Sequence, residues 1–331
     1  MMKYPAWAFE RPNTVLKAIA PVVEGSMYVR IDRDRIRQFS SHFMESDIRH
    51  WMTSSPVDLS GLSDDQKLAF LFVFNSISFS YWGNPKWLVP LEGNDHPRGT
   101  FCMLASLRKA VADGRPILNP EYLATIRREE VAEILRGTTE IPMLSERCAI
   151  LRELGEGTIK WRGKFANFIE AARSDALDLV LIVRSAFPSF TDASFIGDNY
   201  KLQVDFYKRA QLLVSDIHTV FRGNGYGNLS RVEELTACAD YILPMVLRHF
   251  GILVYNQTLA EQVDGGIQIP KDDQKEIEIR ANTIFAVELL REELRERFPG
   301  ITSMDLNDYL WLARTEILEH VKHHLTRTTA Y

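Results

Sequence analysis

The sequence predicts a mainly α-helical protein with a few short strands, built as a single domain over residues 1–331. Two observations lead to this prediction. Apolar residues recur at intervals of three and four along most of the chain, which is the spacing of one helix face. Runs that alternate between apolar and polar residues, the pattern of a half-buried strand, are short and few. Because 46% of the residues are hydrophobic, the chain can bury a sizeable core.

Five stretches carry the helical spacing most clearly. In chain order they are 64–82, 100–114, 145–161, 164–187 and 273–298. Ser63, followed by two aspartates, is typical of a helix start, and Gly114 is typical of a helix end. A further helix is predicted over 204–221, and short strands are predicted over 26–32 and 265–270.

Charge and cysteine content exclude several classes of protein. The net charge is −5, whereas a protein that follows a long nucleic-acid backbone usually carries a basic surplus. A single mononucleotide stays possible, because two or three local cations suffice for one phosphate. Cys102, Cys148 and Cys238 are far apart and odd in number, which argues against a disulfide framework or a zinc finger. No apolar stretch is long enough to span a membrane, so a reducing cytoplasmic setting is expected.

The stretch "FYKRAQLLVSD" lies within the predicted helix over 204–221. At 100° per residue, Lys208, Gln211 and Ser215 share the side of this helix that faces away from its apolar stripe. Such a polar trio commonly forms a solvated face. Apolar residues such as Tyr207 flank the trio, and acidic partners four residues away are missing, which favours the wall of a cleft instead. Both interpretations stay open on the pattern alone.

The stretch "ACADYILP" places Asp240 four residues before Pro244. Because proline has no N–H, the backbone at Asp240 is released from regular helical bonding, whether a helix starts near Pro244 or continues with a kink, and the acid is expected at a helix beginning beside Tyr241. An acid in this position commonly stabilises the helix dipole. Alternatively, a partly desolvated carboxylate could stabilise a positive charge that develops on a substrate. The pattern does not choose between these two interpretations.

Three other candidate sites are less specific. His320, His323 and His324 have a spacing that can ligate zinc on a helix, but histidines near a chain end more often suit a helix terminus, so no metal site is predicted. The glycines of 222–227 follow a helix rather than a strand, and they predict a turn, not a phosphate loop. Cys238 is interpreted as a small buried thiol, because no histidine lies near it in sequence to activate a nucleophile.

Several blocks of the chain resemble the queuosine salvage protein family. They are "SFSYWG", "IPMLSERCAIL", "FPSF", "FYKRAQLLVSD", "ADYILPMVLRHFGILVY", "EIEIRANTIFAVELL" and "HLTRTTAY". They occur in family order after about residue 65, whereas the first sixty residues match poorly. The resemblance implies a helical fold related to DNA glycosylases. It also implies an enzyme that hydrolyses the N-glycosidic bond of queuosine 5′-phosphate and releases the base queuine for reuse in tRNA.

The resemblance implies roles for single residues as well. Asp240 matches the family's catalytic aspartate, and Lys208 matches the lysine of its "FYKRAQ" block. Lys208 would hold Asp240 ionised, position it, or bind the 5′-phosphate. The C-terminal matches are His324, Arg327 and Tyr331, of which Arg327 suits bidentate capture of a phosphate.

Further substrate contacts are predicted around these residues. Phe79 and Trp82 present aromatic rings that could stack on the flat base. The other predicted substrate-binding residues are Gln211, Cys238, Tyr241, Asn307, Asp308 and Trp311.

The chain departs from the family pattern at three positions. Cys238 stands where the family often has phenylalanine, Asn307 where it often has aspartate, and Ser78 where some members have asparagine. An asparagine can accept one hydrogen bond from a guanine-like edge, but it cannot take two donors as an ionised carboxylate can. A family histidine near the start of the chain has no counterpart in this reading.

The predicted partner is a small-molecule nucleotide, with no cofactor, metal, long nucleic acid or membrane, and the oligomeric state stays open. Two alternatives remain. A DNA-repair glycosylase would use the same bond chemistry but would carry a basic DNA-binding face, which the composition does not indicate. A non-catalytic helical adaptor would explain the amphipathic helices but would give Asp240 and Lys208 no role.

Overall fold

The computed structural model describes residues 11–55, 57–90, 99–196, 202–317 and 321–331. Within these ranges the protein is mainly helical, with two small two-stranded antiparallel sheets, so the predicted fold class is confirmed. No helix in the described ranges is both long enough and apolar enough to cross a bilayer. The likeness to DNA-glycosylase folds stays a prediction.

By its contacts, the chain divides into two compact units, each assembled from segments that are distant in sequence. Unit 1 comprises the residues up to Thr53, Asp192–Gln211 and Glu233–Thr328. Unit 2 comprises Ser54–Thr191, Leu212–Val232 and Thr329–Tyr331. The sequence pattern contains no sign of this division, and a single domain over residues 1–331 stays a prediction.

Unit 1 contains most of the predicted catalytic and substrate-binding residues. Its helices are α1 (Thr14–Gly25), α2 (Arg33–His42), the first turn of α10 (Lys208–Val220), α11 (Ile242–His249), α12 (Gln257–Asp264), α13 (Gln274–Leu294) and α14 (Ser303–Ile317). Its strands are β1 (Val29–Ile31), β2 (Ala193–Ile196), β3 (Leu202–Asp205) and β4 (Leu253–Tyr255).

Helix α13 is the centre of unit 1. Asp273 caps its first turn by accepting a hydrogen bond from the backbone N–H of Lys275. Every residue from Glu276 to Leu290 is buried, including charged ones, and the helix packs against α1, α2, α11 and α14. A helix enclosed on all sides must pair its polar groups inside the protein, because water cannot reach them. The predicted helix over 273–298 is therefore confirmed for most of its length.

The two small sheets were only partly anticipated. Strand β1 lies inside the predicted strand over 26–32 and pairs antiparallel with β4, with Arg30 opposite Val254. The predicted strand over 265–270 is wrong, because the chain turns after α12, with Gly266 at φ 68°, and then runs irregularly. The pairing of β2 with β3, and β4 itself, were not predicted. Strands of three or four residues are too short to show a clear alternation.

Unit 2 is built from helices, with short irregular segments between them. They are α3 (Asp64–Ser76), α4 (Gly99–Ala112), α5 (Pro120–Thr125), α6 (Arg128–Ile134), α7 (Leu144–Lys160), α8 (Ala166–Ala171), α9 (Ala176–Ala186) and the remainder of α10. The predicted helices over 64–82, 100–114 and 145–161 correspond to α3, α4 and α7, and the glycines of 222–227 form the predicted turn.

Two of these predictions need correction. Helix α3 ends at Ser76 rather than at residue 82, because Ile77 leaves the helical conformation with φ −115°, and Ser80, with a left-handed φ of 37°, keeps the helix from resuming. The predicted helix over 164–187 is two helices, α8 and α9. Arg173 and Ser174 have φ of 52° and 55°, and the Asp175 side chain then caps α9. Apolar spacing alone cannot reveal such a break, because the spacing resumes in the next helix.

Candidate active site

Asp240 lies at the start of α11, as the sequence predicted, with only 7% of its surface exposed. Its Oδ1 accepts hydrogen bonds from the backbone N–H groups of Ile242, at 2.7 Å, and Leu243, at 3.1 Å. This geometry agrees with the first of the two interpretations, an acid that stabilises a helix N-terminus, and leaves the catalytic interpretation a prediction. These two bonds fix the plane of the carboxylate. Among the described residues none donates a hydrogen bond to the other oxygen, Oδ2.

Lys208 is the first residue of α10, so the predicted helix over 204–221 begins four residues late. Val204 belongs to β3, and Tyr207 has a left-handed φ of 51°, which separates the strand from the helix.

Lys208, Gln211 and Ser215 are all buried, at 7%, 0% and 4% exposure. The interpretation of this trio as a solvated helix face is therefore wrong.

The Lys208 ammonium group has no acidic partner among the described residues. Its backbone N–H donates to Asp192 Oδ2 at 3.1 Å, and its carbonyl accepts from the Cys238 thiol at 3.4 Å. No ion pair within 4 Å joins its Nζ to Asp240, so direct contact between these two side chains is absent in the structure. A buried ammonium group without an acid nearby is well suited to binding an anionic ligand.

Asp192 and Arg280 connect the stretches that hold Lys208 and Asp240. The Arg280 guanidinium binds both oxygens of Asp192, at 2.8 and 2.5 Å, and its Nε donates to the carbonyl of Ala239 at 3.2 Å. The Asp192 carboxylate also accepts the Lys208 N–H. The first turn of α10 and the peptide next to Asp240 are thus held by one buried ion pair. Lys208 and Asp240 therefore both lie in unit 1 and are connected there through the hydrogen bonds of Arg280 and Asp192.

A second polar cluster surrounds Asn307 and Asp308. Asn307 Oδ1 accepts the backbone N–H of Cys238 at 2.9 Å, and its Nδ2 donates to Asp308 Oδ1 at 2.9 Å. Asp308 Oδ2 accepts the backbone N–H of Trp51 at 3.2 Å and lies 3.6 Å from His50 Nε2. A histidine from the first sixty residues therefore does lie beside the predicted base-recognition residues, where the sequence analysis found none.

Aromatic rings line the same part of unit 1. The centroid of the Trp311 ring lies 5.4 Å from that of Trp51, and the Arg314 guanidinium lies 3.4 Å from the Trp311 centroid. Stacked guanidinium and indole groups keep an aromatic surface fixed in orientation. Trp311 is 9% exposed.

The C-terminal segment brings two histidines close to the Asp240 region. The rings of His323 and Tyr241 lie 4.6 Å apart between centroids. His324 is buried, and burial lowers its pKa to about 3, with a further contribution from the charges of His323 and Arg280. His324 is therefore neutral near pH 7 and can offer a hydrogen bond but no charge. Arg327, by contrast, is exposed.

No helix covers residues 321–331, so the helical spacing on which a histidine metal site would depend is not present there. His320 lies outside the described residues. Among the described residues no group of three or more histidine, cysteine, aspartate or glutamate side chains has the arrangement of a metal site.

Gln211 is placed as a structural residue. Its Oε1 accepts from Asn13 Nδ2 and from the backbone N–H of Thr236, both at 2.9 Å. Its Nε2 donates to the carbonyl of Phe206 and to Thr236 Oγ1. With both ends of the amide engaged and no exposed surface, Gln211 stabilises the polypeptide around Lys208. This placement favours a structural role for Gln211 over the predicted contact with substrate.

Phe79, Trp82 and Tyr331 belong to unit 2. Phe79 is buried, and the Arg147 guanidinium lies 4.2 Å from its ring centroid. Trp82 is half-buried, and the buried Tyr331 accepts the backbone N–H of Ser80 with its carbonyl at 2.9 Å. Their predicted roles in substrate binding stay predictions.

Comparison with known proteins identifies the family. A family model described as queuosine salvage protein matches residues 60–331. The chain belongs to the queuosine salvage protein family. The resemblance inferred from the sequence is thereby confirmed.

Similar proteins named queuosine 5′-phosphate N-glycosylase/hydrolase occur in bacteria and eukaryotes, and three of them illustrate the range of identity. The one from Sphaerobacter thermophilus is 36% identical over 330 residues, covering 96% of this chain and 97% of its own length. The one from Mus musculus is 31% identical, covering 94% and 96%. The one from Schizosaccharomyces pombe is 25% identical, covering 75% and 75%. The family model begins at residue 60, in agreement with the expected poor match of the first sixty residues to the family, whereas the alignment with the Sphaerobacter relative extends over 96% of the chain.

Sequence reasoning missed Asp192, Arg280 and His50 as residues of this region. For Arg280 the sequence did contain an indication, because this arginine lies in a stretch that is apolar on several sides. An arginine buried in such a stretch needs a buried acid as its partner. Asp192 and His50 lie in irregular segments, where spacing carries no information about neighbours.

Proposed function

We propose that this protein hydrolyses the N-glycosidic bond of queuosine 5′-phosphate and releases queuine and ribose 5-phosphate. The observation that carries the proposal is Asp240, a buried carboxylate with one oxygen fixed by two backbone N–H groups. The relatives named as N-glycosylase/hydrolases support the choice of reaction and substrate. The three cysteines are free thiols, which supports a reducing compartment, the cytoplasm, as the site of the reaction.

Asp240 would act on the sugar. Cleavage of a ribosyl C–N bond develops positive charge on the anomeric carbon and the ring oxygen. A carboxylate held in place before the reaction stabilises this charge without having to reorient. Water then adds its hydroxyl group to the anomeric carbon, and its proton goes to the nitrogen of the leaving base. Since queuine is a 7-deaza base, a proton on N7 cannot assist its departure, and charge stabilisation at the ribose carries more of the barrier.

The cationic groups would bind the phosphate. Lys208 is buried and has no acidic partner among the described residues, and Arg327 is exposed in the C-terminal segment. A 5′-phosphate on Lys208 would set the distance from the ribose to Asp240. The base would then lie toward Cys238, Asn307, Asp308 and Trp311, with Tyr241 and His324 beside the sugar.

A direct assay tests this proposal. Purified protein incubated with queuosine 5′-phosphate should release free queuine, detected by mass spectrometry. The nucleoside queuosine should be a poorer substrate, with kcat/KM lower by about tenfold or more, since it lacks the charge-assisted contacts of the phosphate. Release of a base from a lesion-bearing DNA duplex, without release of queuine, would contradict the proposal and favour a DNA-repair activity.

A further inference from the structure

One buried guanidinium contacts both stretches of the candidate site. Arg280, in the first half of α13, has no exposed surface. It binds Asp192 through two hydrogen bonds and the Ala239 carbonyl through a third, and its Cζ lies 3.9 Å from the Phe206 ring centroid. Ala239 is joined by a peptide bond to Asp240, so Arg280 holds the backbone from which the carboxylate extends.

Asp192 extends this contact to Lys208. The same oxygen, Oδ2, accepts hydrogen bonds from Arg280 Nη2 at 2.5 Å and from the Lys208 N–H at 3.1 Å. The Asp192 carbonyl also accepts the N–H groups of Phe206 and Tyr207, the residues just before α10. Asp192 therefore fixes where α10 begins and, with it, where the Lys208 side chain leaves the backbone.

Stability alone does not account for a pair of this kind. Transfer of two charges from water into a protein interior is so unfavourable that well-packed apolar replacements are often as stable as a buried ion pair. An apolar pair cannot reproduce directional hydrogen bonding, because it has no donors that could bind a carboxylate and a carbonyl at the same time. The guanidinium fork offers five donors in one rigid plane; three of them bind Asp192 and the Ala239 carbonyl, and Nη1 also lies 3.6 Å from Glu276 Oε1.

We propose that Arg280 and Asp192 are positioning residues, which set the distance between the Lys208 ammonium and the Asp240 carboxylate during the reaction. This inference rests on the proposed hydrolysis of queuosine 5′-phosphate. Neither residue needs to touch the substrate. Their effect reaches the ribose through Asp240 and the phosphate through Lys208.

The test compares Arg280→Lys with Arg248→Lys. Lysine keeps the charge at position 280 but cannot bind Asp192 and Ala239 together. Arg248 is the control for an arginine in a bidentate pair, since it binds Asp264 at 2.7 and 2.8 Å at a partly exposed position elsewhere in unit 1. We expect kcat on queuosine 5′-phosphate to fall by roughly tenfold to a hundredfold in Arg280→Lys, because small misplacements of reacting groups have effects of this size. Arg248→Lys should keep the wild-type kcat.

A double variant separates positioning from general support of the fold. In an Asp240→Asn background, Arg280→Lys should lower the remaining kcat by about twofold or less, because the charge that it positions is gone. Equal fold losses in both backgrounds would overturn the proposal. So would a kcat for Arg280→Lys that equals that of Arg248→Lys.

Asp192→Asn provides a second, independent variant if Arg280→Lys does not fold. It keeps the shape of the side chain and one acceptor oxygen but removes the charge, and it should give the same loss of kcat. Failure of both variants to fold would show that the pair serves folding, and would contradict the proposal. If wild-type protein releases no queuine, the proposed function fails instead, so the two failures are distinguishable.

Discussion

Arg280 in unit 1 and Arg147 in unit 2 are both fully buried, and each lies over an aromatic ring, yet they bind different groups. Arg280 pairs with the carboxylate of Asp192 and reaches one backbone carbonyl. Arg147 donates to the backbone carbonyls of Ile77, Phe79 and Pro142. In both cases the guanidinium holds irregular backbone in place, since it offers several donors in fixed directions. Only in unit 1 does the backbone so held carry a proposed catalytic acid.

The largest effect is expected from the acid itself. Asp240→Asn keeps the size of the side chain and can still accept the hydrogen bonds of Ile242 and Leu243, but it removes the charge. We expect kcat to fall by roughly a hundredfold or more, since one transition-state charge stabiliser is lost. Binding of intact queuosine 5′-phosphate, measured by calorimetry, should persist. An Asp240→Asn enzyme with wild-type kcat would contradict the mechanism.

Lys208→Met tests whether Lys208 and Asp240, both in unit 1, act together. Methionine fills a similar volume without the charge, and kcat/KM should fall by roughly tenfold to a hundredfold as the anion contact is lost. The double variant with Asp240→Asn should lose less than the product of the two single losses, because residues that act as a unit are not additive. Steady-state kinetics on all four enzymes measures this. Fully multiplicative losses would indicate two separate sites.

Arg147→Lys tests the buried arginine of unit 2, and the quantity measured is the stability of the protein. A lysine ammonium cannot span the carbonyls of Ile77, Phe79 and Pro142, so buried acceptors lose their donors. We expect the free energy of unfolding to fall by about 2 kcal/mol in urea titrations. The control is Arg128→Lys in unit 2, whose pair with Glu140 is exposed and should contribute well under 1 kcal/mol. Equal stability of the two variants would show that Arg147 does not hold this segment.

The last prediction concerns the pH dependence of stability, through the buried imidazole of His324. Burial lowers the pKa of His324 to about 3. Below about pH 6.5, His324 therefore binds a proton in the unfolded chain but stays neutral in the folded protein. This contribution to stability is complete above about pH 6.5 and is lost as the pH falls toward about 3, by at most ~1.4 kcal/mol per pH unit.

His324→Gln should therefore lose less stability than the wild type between about pH 7 and about pH 5, as measured by urea unfolding. His42→Gln, at an exposed histidine in α2, is the control and should follow the wild-type slope. Parallel slopes for His324→Gln and the wild type would contradict the neutral, buried state of His324.

The sequence by itself determined the helical class, the positions of the long helices and the family. Each of these depends on residues that are close in sequence. The apolar spacing of α13 and the acid before Pro244 are local signals, and the blocks that resemble the family are stretches of contiguous residues. The position of Asp240 at a helix start could be predicted for the same reason, because Pro244, four residues later, has no N–H for a continuing helix.

Only the tertiary structure decided how these parts are held. Asp192 and Arg280 are 88 residues apart, and Arg280 and Ala239 are 41 apart, so no spacing rule relates them. The breaks at Ser80 and Tyr207 also escaped the pattern, because each depends on left-handed backbone rather than on residue type. Periodicity reports which face of a helix is apolar, whereas a buried charge must find its partner wherever the folded chain provides one.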